Sequence, residues 1–183
     1  MPIGTTIITW LVLAVDILIV LYLLESLAIT VKIKQKRSHI WHIFGKNAKV
    51  WAFLVALVAM LGSLYFSDYL GYEPCKLCWY QRIFMYPQVF LFGLALIKKD
   101  SRIWSYSILL SVIGALIAAF HYISQVTKTS ILPCDALGYS ASCSQTFVLS
   151  FGYITIPMMA LSAFVAIIIL AHLRKKETHY HAN

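Results

Sequence analysis

A chain of 183 residues that is 61% apolar and 12% charged departs from a soluble domain, which averages nearer half apolar and a quarter charged. With a mean hydropathy of +0.79 and the excess gathered in long unbroken runs, the composition excludes an ordinary soluble enzyme and predicts an all-α integral membrane protein. The formal charge of +8 raises nucleic acid as a partner, but the basic residues fall between and after the apolar runs, which points to a lipid bilayer and no nucleic acid.

A bilayer core of roughly 30 Å takes about 20 helical residues. Five stretches qualify, at residues 5–31, 49–67, 77–97, 104–125 and 156–173. The runs are continuous rather than alternating, which argues against a closed barrel. Twelve of the 15 Lys and Arg residues fall in three segments: Lys32 to Lys49, Lys98 to Arg102, and Arg174 to Lys176. If every run crosses, all three lie on one face, and positive residues mark that face as cytoplasmic. The N-terminus, Cys75, Cys78, Cys134 and Cys143 then lie outside.

The first run lacks a basic n-region and is too long for a cleavable signal. It carries Asp16 and Glu25, and a carboxylate at membrane depth is costly without a partner. One reading sets Glu25 at the inner interface near Lys32 and turns Asp16 toward another helix. The other gives them proton handling or partner docking. The basic segment that follows, with His39, Trp41, His42 and Phe44, reads as a juxtamembrane stretch lying on anionic lipid.

The second run ends in Ser67 to Pro74, where Gly71 and Pro74 break the helix and Pro74 suits the start of the next one. Cys75 and Cys78 then stand at a helix N-terminus at C-x-x-C spacing, where the helix dipole and the charge of Lys76 or Arg82 favour a thiolate. Four cysteines on an oxidising face read as redox partners. Eight residues separate Cys134 from Cys143. A bridge between them would close a short exposed loop and be exchangeable. A fixed structural bridge and a zinc site made by all four cysteines stand as alternatives, although a second C-x-x-C is missing.

The string Cys75-Lys76-Leu77-Cys78-Trp79-Tyr80-Gln81-Arg82 resembles the signature of the DsbB family of membrane disulfide-forming oxidases, closer to its short-loop branch, BdbC. Three further pieces agree in order. They are Phe120-His121-Tyr122 with Gln125, Pro133-Cys134 with Ser142-Cys143, and Phe151-Gly152-Tyr153-Ile154-Thr155-Ile156-Pro157-Met158-Met159. The resemblance covers roughly residues 49–174. It implies a four-helix transmembrane bundle around a bound quinone, ubiquinone or menaquinone. The usual four-span pattern lacks the first helix, so the chain reads as that bundle plus one additional N-terminal transmembrane helix. Its parts are residues 1–48 (first helix and basic cytoplasmic loop), 49–176 (redox bundle) and 177–183 (tail).

The resemblance also implies the chemistry: a thiol:quinone oxidoreductase of the cell membrane that re-oxidises an extracytoplasmic DsbA-like thioredoxin-fold protein. Electrons pass from Cys134/Cys143 to Cys75/Cys78 and on to the quinone. Cys78, one turn nearer the membrane interior, is the cysteine that faces the quinone. Arg82 follows on the same face, where its charge would stabilise a thiolate and a developing anion in a dry site. His121 and Gln81 are the further candidates for quinone contact, with Gln125 a weaker one. Pro87 should kink the helix, and Met158 and Met159 read as core filler. No resident metal is expected, and the tail histidines His179 and His181 read as solvated. The rival readings are a reductase of the vitamin K epoxide type and a non-catalytic four-cysteine zinc protein.

Overall fold

The computed structural model describes residues 2–33, 38–98, 102–128 and 143–180. Cys134, Pro133 and Gly138 lie outside them, as do Lys34, Lys36, Arg37, Lys99 and His181. Among the described residues the chain forms six α-helices and no strand, and an isolated bridge joins Ser150 to Ile154. The helices are α1 (Ile3–Thr30), α2 (His39–Lys46), α3 (Ala48–Leu64), α4 (Lys76–Lys98), α5 (Ile103–Thr127) and α6 (Ile156–Tyr180). One π-helical turn, Tyr65–Tyr69, prolongs α3.

Four of these helical stretches are long and apolar enough to cross a membrane: Ile3–Thr30, Ala48–Tyr69, Ile103–Thr127 and Ile156–Lys176. The chain is an all-α integral membrane protein. The fifth expected span, α4, has 23 residues and so is about 34 Å long, but Gln81, Arg82 and Gln88 dilute its apolar character. It tolerates them because it packs between α3 and α5. Helices α3, α4, α5 and α6 form a ring, with α6 closing back on α3, and α1 and α2 pack on the outside of α6.

Lipid is as apolar as leucine, so membrane helices are held by close packing and polar contacts rather than by a hydrophobic driving force. Both devices are present. Ala48, Ala52 and Ala56 make a buried stripe of small side chains on α3. Gly114 on α5 lies under Phe164 of α6, and a Cβ there would come within 2.3 Å of the ring. Between α4 and α5, the fully buried Gln88 accepts hydrogen bonds from Ser107 (2.7 Å) and Ser111 (3.1 Å) and donates to the Phe84 carbonyl at 2.9 Å.

The carboxylates of α1 have intrachain partners. Asp16 accepts from Ser162 of α6 and from the Tyr153 hydroxyl at 3.0 Å. Glu25 accepts from the Ser38 amide and from Trp41 Nε1 at 2.7 Å. Asp16 therefore faces another helix, and Glu25 reaches α2 rather than only the interface. The basic segment differs from its flat juxtamembrane reading, because residues 39–46 form a helix whose Trp41 is buried between Tyr22 and Phe44. At the C-terminus, α6 runs past residue 173 to Tyr180, since Arg174, Lys175, Lys176 and Glu177 are good helix formers.

Replacing Gly114 by Leu should force the α5–α6 contact apart. Helix propensity would favour Leu slightly, but Phe164 is fully buried and has nowhere to go. A net loss of about 1–3 kcal/mol is expected, read as a lower midpoint of thermal unfolding in detergent.

Candidate functional site

Gly71, at φ +69°, ends the helical path of the second span, and residues 71–75 run without helix to the start of α4 at Lys76. Cys75 therefore sits just before α4, its carbonyl accepting the Trp79 amide at 3.2 Å, and Cys78 lies in the first turn. The two are free thiols with sulfurs 3.4 Å apart. Cys75 is buried and Cys78 partly so.

Helix α5 brings His121 to this pair. The ring is 2% exposed, with Nε2 at 3.5 Å from Cys75 Sγ and Nδ1 at 3.0 Å from Gln81 Nε2. The Gln81 amide nitrogen only donates, so Nδ1 is the acceptor and the ring proton sits on Nε2, facing the sulfur. Cys75 is held down to about 4, first by the hydrogen bond from the Cys78 thiol and then, against the cost of burial, by His121. His121 touches Cys75 and Gln81 and is not among the residues that line the cavity described next.

A cavity of about 500 Å³ runs along the inner side of Cys78, between α1, α3, α4 and α6. Its polar end is formed by Cys78, Gln81, Arg82 and Ser63, and its walls are otherwise almost wholly apolar. Arg82 donates from Nε to Ser63 Oγ at 2.9 Å and from a terminal nitrogen to the Ser63 carbonyl at 3.2 Å. Its guanidinium also lies 5.0 Å from the centre of the Trp79 ring. The arginine is thus anchored across to α3 instead of reaching out to the interface. Tyr86, one turn further along α4, lines the same cavity, and its buried hydroxyl has no hydrogen-bond partner among the described residues. Nothing in the sequence singles out Ser63. A hydroxyl at i+4 from an arginine was the available signal for Tyr86, and Ser63 required knowledge of how α3 faces α4.

The segment after residue 142 crosses the end of the bundle that carries Cys75. Cys143 is 2% exposed and packs in one apolar cluster with Cys75, Leu77, Cys78, Ile117 and Phe120. It is disulfide-bonded. Gln125 of α5 fixes the segment by donating to the Gln145 carbonyl at 2.8 Å, so this glutamine positions the chain instead of lining the cavity. Phe147 stacks on Tyr72 at 5.0 Å. Ser144 to Phe151 form turns and no helix.

A sulfur already in a disulfide is not a thiolate ligand, so Cys143 does not meet the four-cysteine zinc reading. Among the described residues, Cys75, Cys78 and His121 are the group of Cys, His, Asp or Glu side chains with ligand atoms within 4.8 Å of one another.

Residues 45–173 match the family model described as disulfide bond formation protein DsbB. The chain is 45% identical over 128 residues to "Disulfide bond formation protein C" of Bacillus subtilis, covering 69% of this chain and 91% of that one. It is 41% identical over 132 residues to a "Probable disulfide formation protein C" of Halalkalibacterium halodurans (72% and 96%). A "Probable disulfide formation protein" of Metapseudomonas resinovorans is 36% identical over 134 residues (72% and 92%). No solved structure matches.

The Cys75 environment carries its own test. A thiol held at about 4 stays a thiolate at neutral pH and protonates only as pH falls through that value. Ultraviolet thiolate absorbance of the reduced protein should therefore persist well below the ordinary thiol range of about 8.5, and Cys75→Ser should remove it. His121→Ala should move the inflection upward; an unmoved inflection would show that the imidazole does not hold the thiolate.

Proposed function

From the chain's membership of the DsbB family of disulfide bond formation proteins, we propose that it is a thiol:quinone oxidoreductase that re-oxidises an extracytoplasmic DsbA-like thioredoxin-fold protein. The observation that supports this most is the burial of Cys143 against Cys75, above a cavity that Cys78 and Arg82 line. The distribution of the basic segments supports this reading, because positive residues favour the cytoplasmic side and the sulfurs then face outward.

The cavity suits a quinone by its donors. A quinone ring presents two carbonyl acceptors and no strong donor. Arg82, with Gln81 beside it, offers donors at one end of an otherwise apolar space. Ubiquinone and menaquinone share that chemistry, and when bound such a ring supplies the sink for two electrons and two protons.

The chain's own residues carry the exchange. A thiolate of the partner attacks Cys134 in a Cys134–Cys143 disulfide, forming a mixed disulfide and releasing Cys143 as a thiolate. Cys143 attacks Cys75 in the oxidised Cys75–Cys78 bridge, and Cys78 leaves as a thiolate at the cavity's polar end. The partner's second thiol then displaces Cys134 and departs as a disulfide. Cys134 finally displaces Cys75 from Cys143, restoring the outer bridge and leaving Cys75 and Cys78 reduced. Two electrons have moved from the partner dithiol to the inner pair. A low-pKa thiol leaves faster, so His121 and the Cys78 hydrogen bond favour the last displacement by stabilising Cys75 as a thiolate. Arg82, in a water-poor site, opposes the negative charge left on Cys78.

Cys78→Ser and Cys75→Ser should each abolish quinone reduction by the reduced partner, followed by quinone absorbance under anaerobic conditions. Retained turnover in either would refute the relay. Cys143→Ser should lose re-oxidation of the partner while keeping quinone reduction driven by a small dithiol. Arg82→Met should raise the KM for quinone by about 10- to 100-fold, as expected for loss of a charge-assisted hydrogen bond of about 1.5–3 kcal/mol.

A further inference from the structure

The family match begins at residue 45, after α1, yet α1 builds one whole side of the cavity. Ile8, Val12, Val15 and Ile19 line it, and these positions fall on one stripe of the helix. Helix α1 packs on α6, and its approach to α3 is confined to the outer end. There the Tyr65 ring lies so close to Gly4 that a Cβ would meet it at 2.6 Å. At the other end, a file of rings bridges α1 to α3 through α2. It runs Tyr22 to Trp41 (5.3 Å between centroids), Trp41 to Phe44 (5.9 Å) and Phe44 to Trp51 (5.2 Å).

Between these two closures the cavity extends as a groove along Ile8 to Ile19, about 16 Å of helix. Its far wall is Leu54, Val55 and Val58 of α3, and its floor is Trp41 and Phe44. It is continuous with the corner formed by Cys78, Arg82 and Ser63. A ligand bound at that corner by a polar head therefore has an apolar path away from it, and that path runs under α1. Asp16 fixes the wall in place through Ser162 and Tyr153.

We propose that α1 is the outer wall of a groove that takes the isoprenoid tail of the quinone, so that this helix sets the enzyme's discrimination between tailed and tail-less quinones. The proposal rests on the thiol:quinone reading. An acyl chain of a phospholipid shares the apolar chemistry of the tail, but it lacks a ring that suits the donor corner, so the tail is the occupant that uses both ends.

The test uses the purified full chain with two quinones of the same ring, one bearing an isoprenoid tail and one bare. Val15→Trp and Val58→Trp fill the groove from opposite walls. Each should raise the ratio of KM for tailed over bare quinone by about tenfold, the loss expected from excluding roughly one isoprene unit. Ile17→Trp, on the lipid face of α1 (Ile17 is 52% exposed), should leave the ratio where it was. A quinone with a photoreactive tail should label the unmutated chain within residues 8–19, and excess unlabelled tailed quinone should suppress the labelling.

An unchanged ratio in both groove variants, or labelling that avoids α1, would overturn the proposal. So would labelling of residues 8–19 by a photoreactive phospholipid that tailed quinone fails to displace, which would assign the groove to lipid. If the unmutated enzyme reduced neither quinone, the thiol:quinone reading itself would fall, and this proposal with it. Normal reduction of both quinones with no tail preference would sink the groove alone.

Discussion

The arrangement depends on where α4 begins. Cys75 precedes the helix and Cys78 lies in its first turn, so two sulfurs 3.4 Å apart face different surroundings. Cys75 meets His121 and the buried side of Cys143. Cys78 meets the cavity with Arg82. A helix begun one turn later would leave both cysteines in loop, and one begun a turn earlier would bury both in the bundle. Gly71 sets the start, because its left-handed backbone turns the chain out of the preceding span. The non-helical run to Cys75 then lets the chain re-enter.

A second constraint follows from placing polar chemistry in an apolar bundle. Each polar side chain that cannot reach water must find a partner within the protein. Gln88 does so with two serines of α5, Arg82 with Ser63, and Gln81 with His121. These bonds also fix the rotation of α4 against α3 and α5, since Arg82 points to one neighbour and Gln88 to the other. Among the described residues five buried polar side-chain atoms have no hydrogen-bond partner, and of those five residues Tyr86 lines the cavity.

Much of this was legible in the sequence, and the limits have physical causes. Hydropathy located the long helices to within a few residues, because a run of 20 apolar residues has few alternatives to a spanning helix. Helix α2 was missed because eight residues make barely two turns, and an amphipathic stretch that short reads equally as an interfacial segment. The C-x-x-C spacing, Arg82, Gln81 and His121 were all readable as candidates. What the chain did not show was which neighbour each would face. His121 reads equally as a partner of the cavity or of Cys75, since that depends on the rotation of α5 about its axis. Ser63 is invisible for the same reason, as a serine on an apolar helix gains meaning only once Arg82 is placed opposite. Cys134, central to the proposed relay, lies outside the described residues.

The N-terminal helix shows what costly groups achieve in a membrane. A helix apolar on every side has little to choose between protein and lipid neighbours, and it can rotate or slide without much penalty. Asp16 removes that freedom. A carboxylate facing lipid would be expensive, so the helix is held in the one rotation that turns Asp16 toward Ser162 and Tyr153. Glu25, nine residues on, bonds to Ser38 and Trp41 at the α2 end. With its rotation fixed at two levels, α1 presents Ile8, Val12, Val15 and Ile19 to the cavity and leaves Trp10, Ile17 and Leu24 to the lipid. The two acidic residues thus fix which stripe of an otherwise featureless helix lines the cavity.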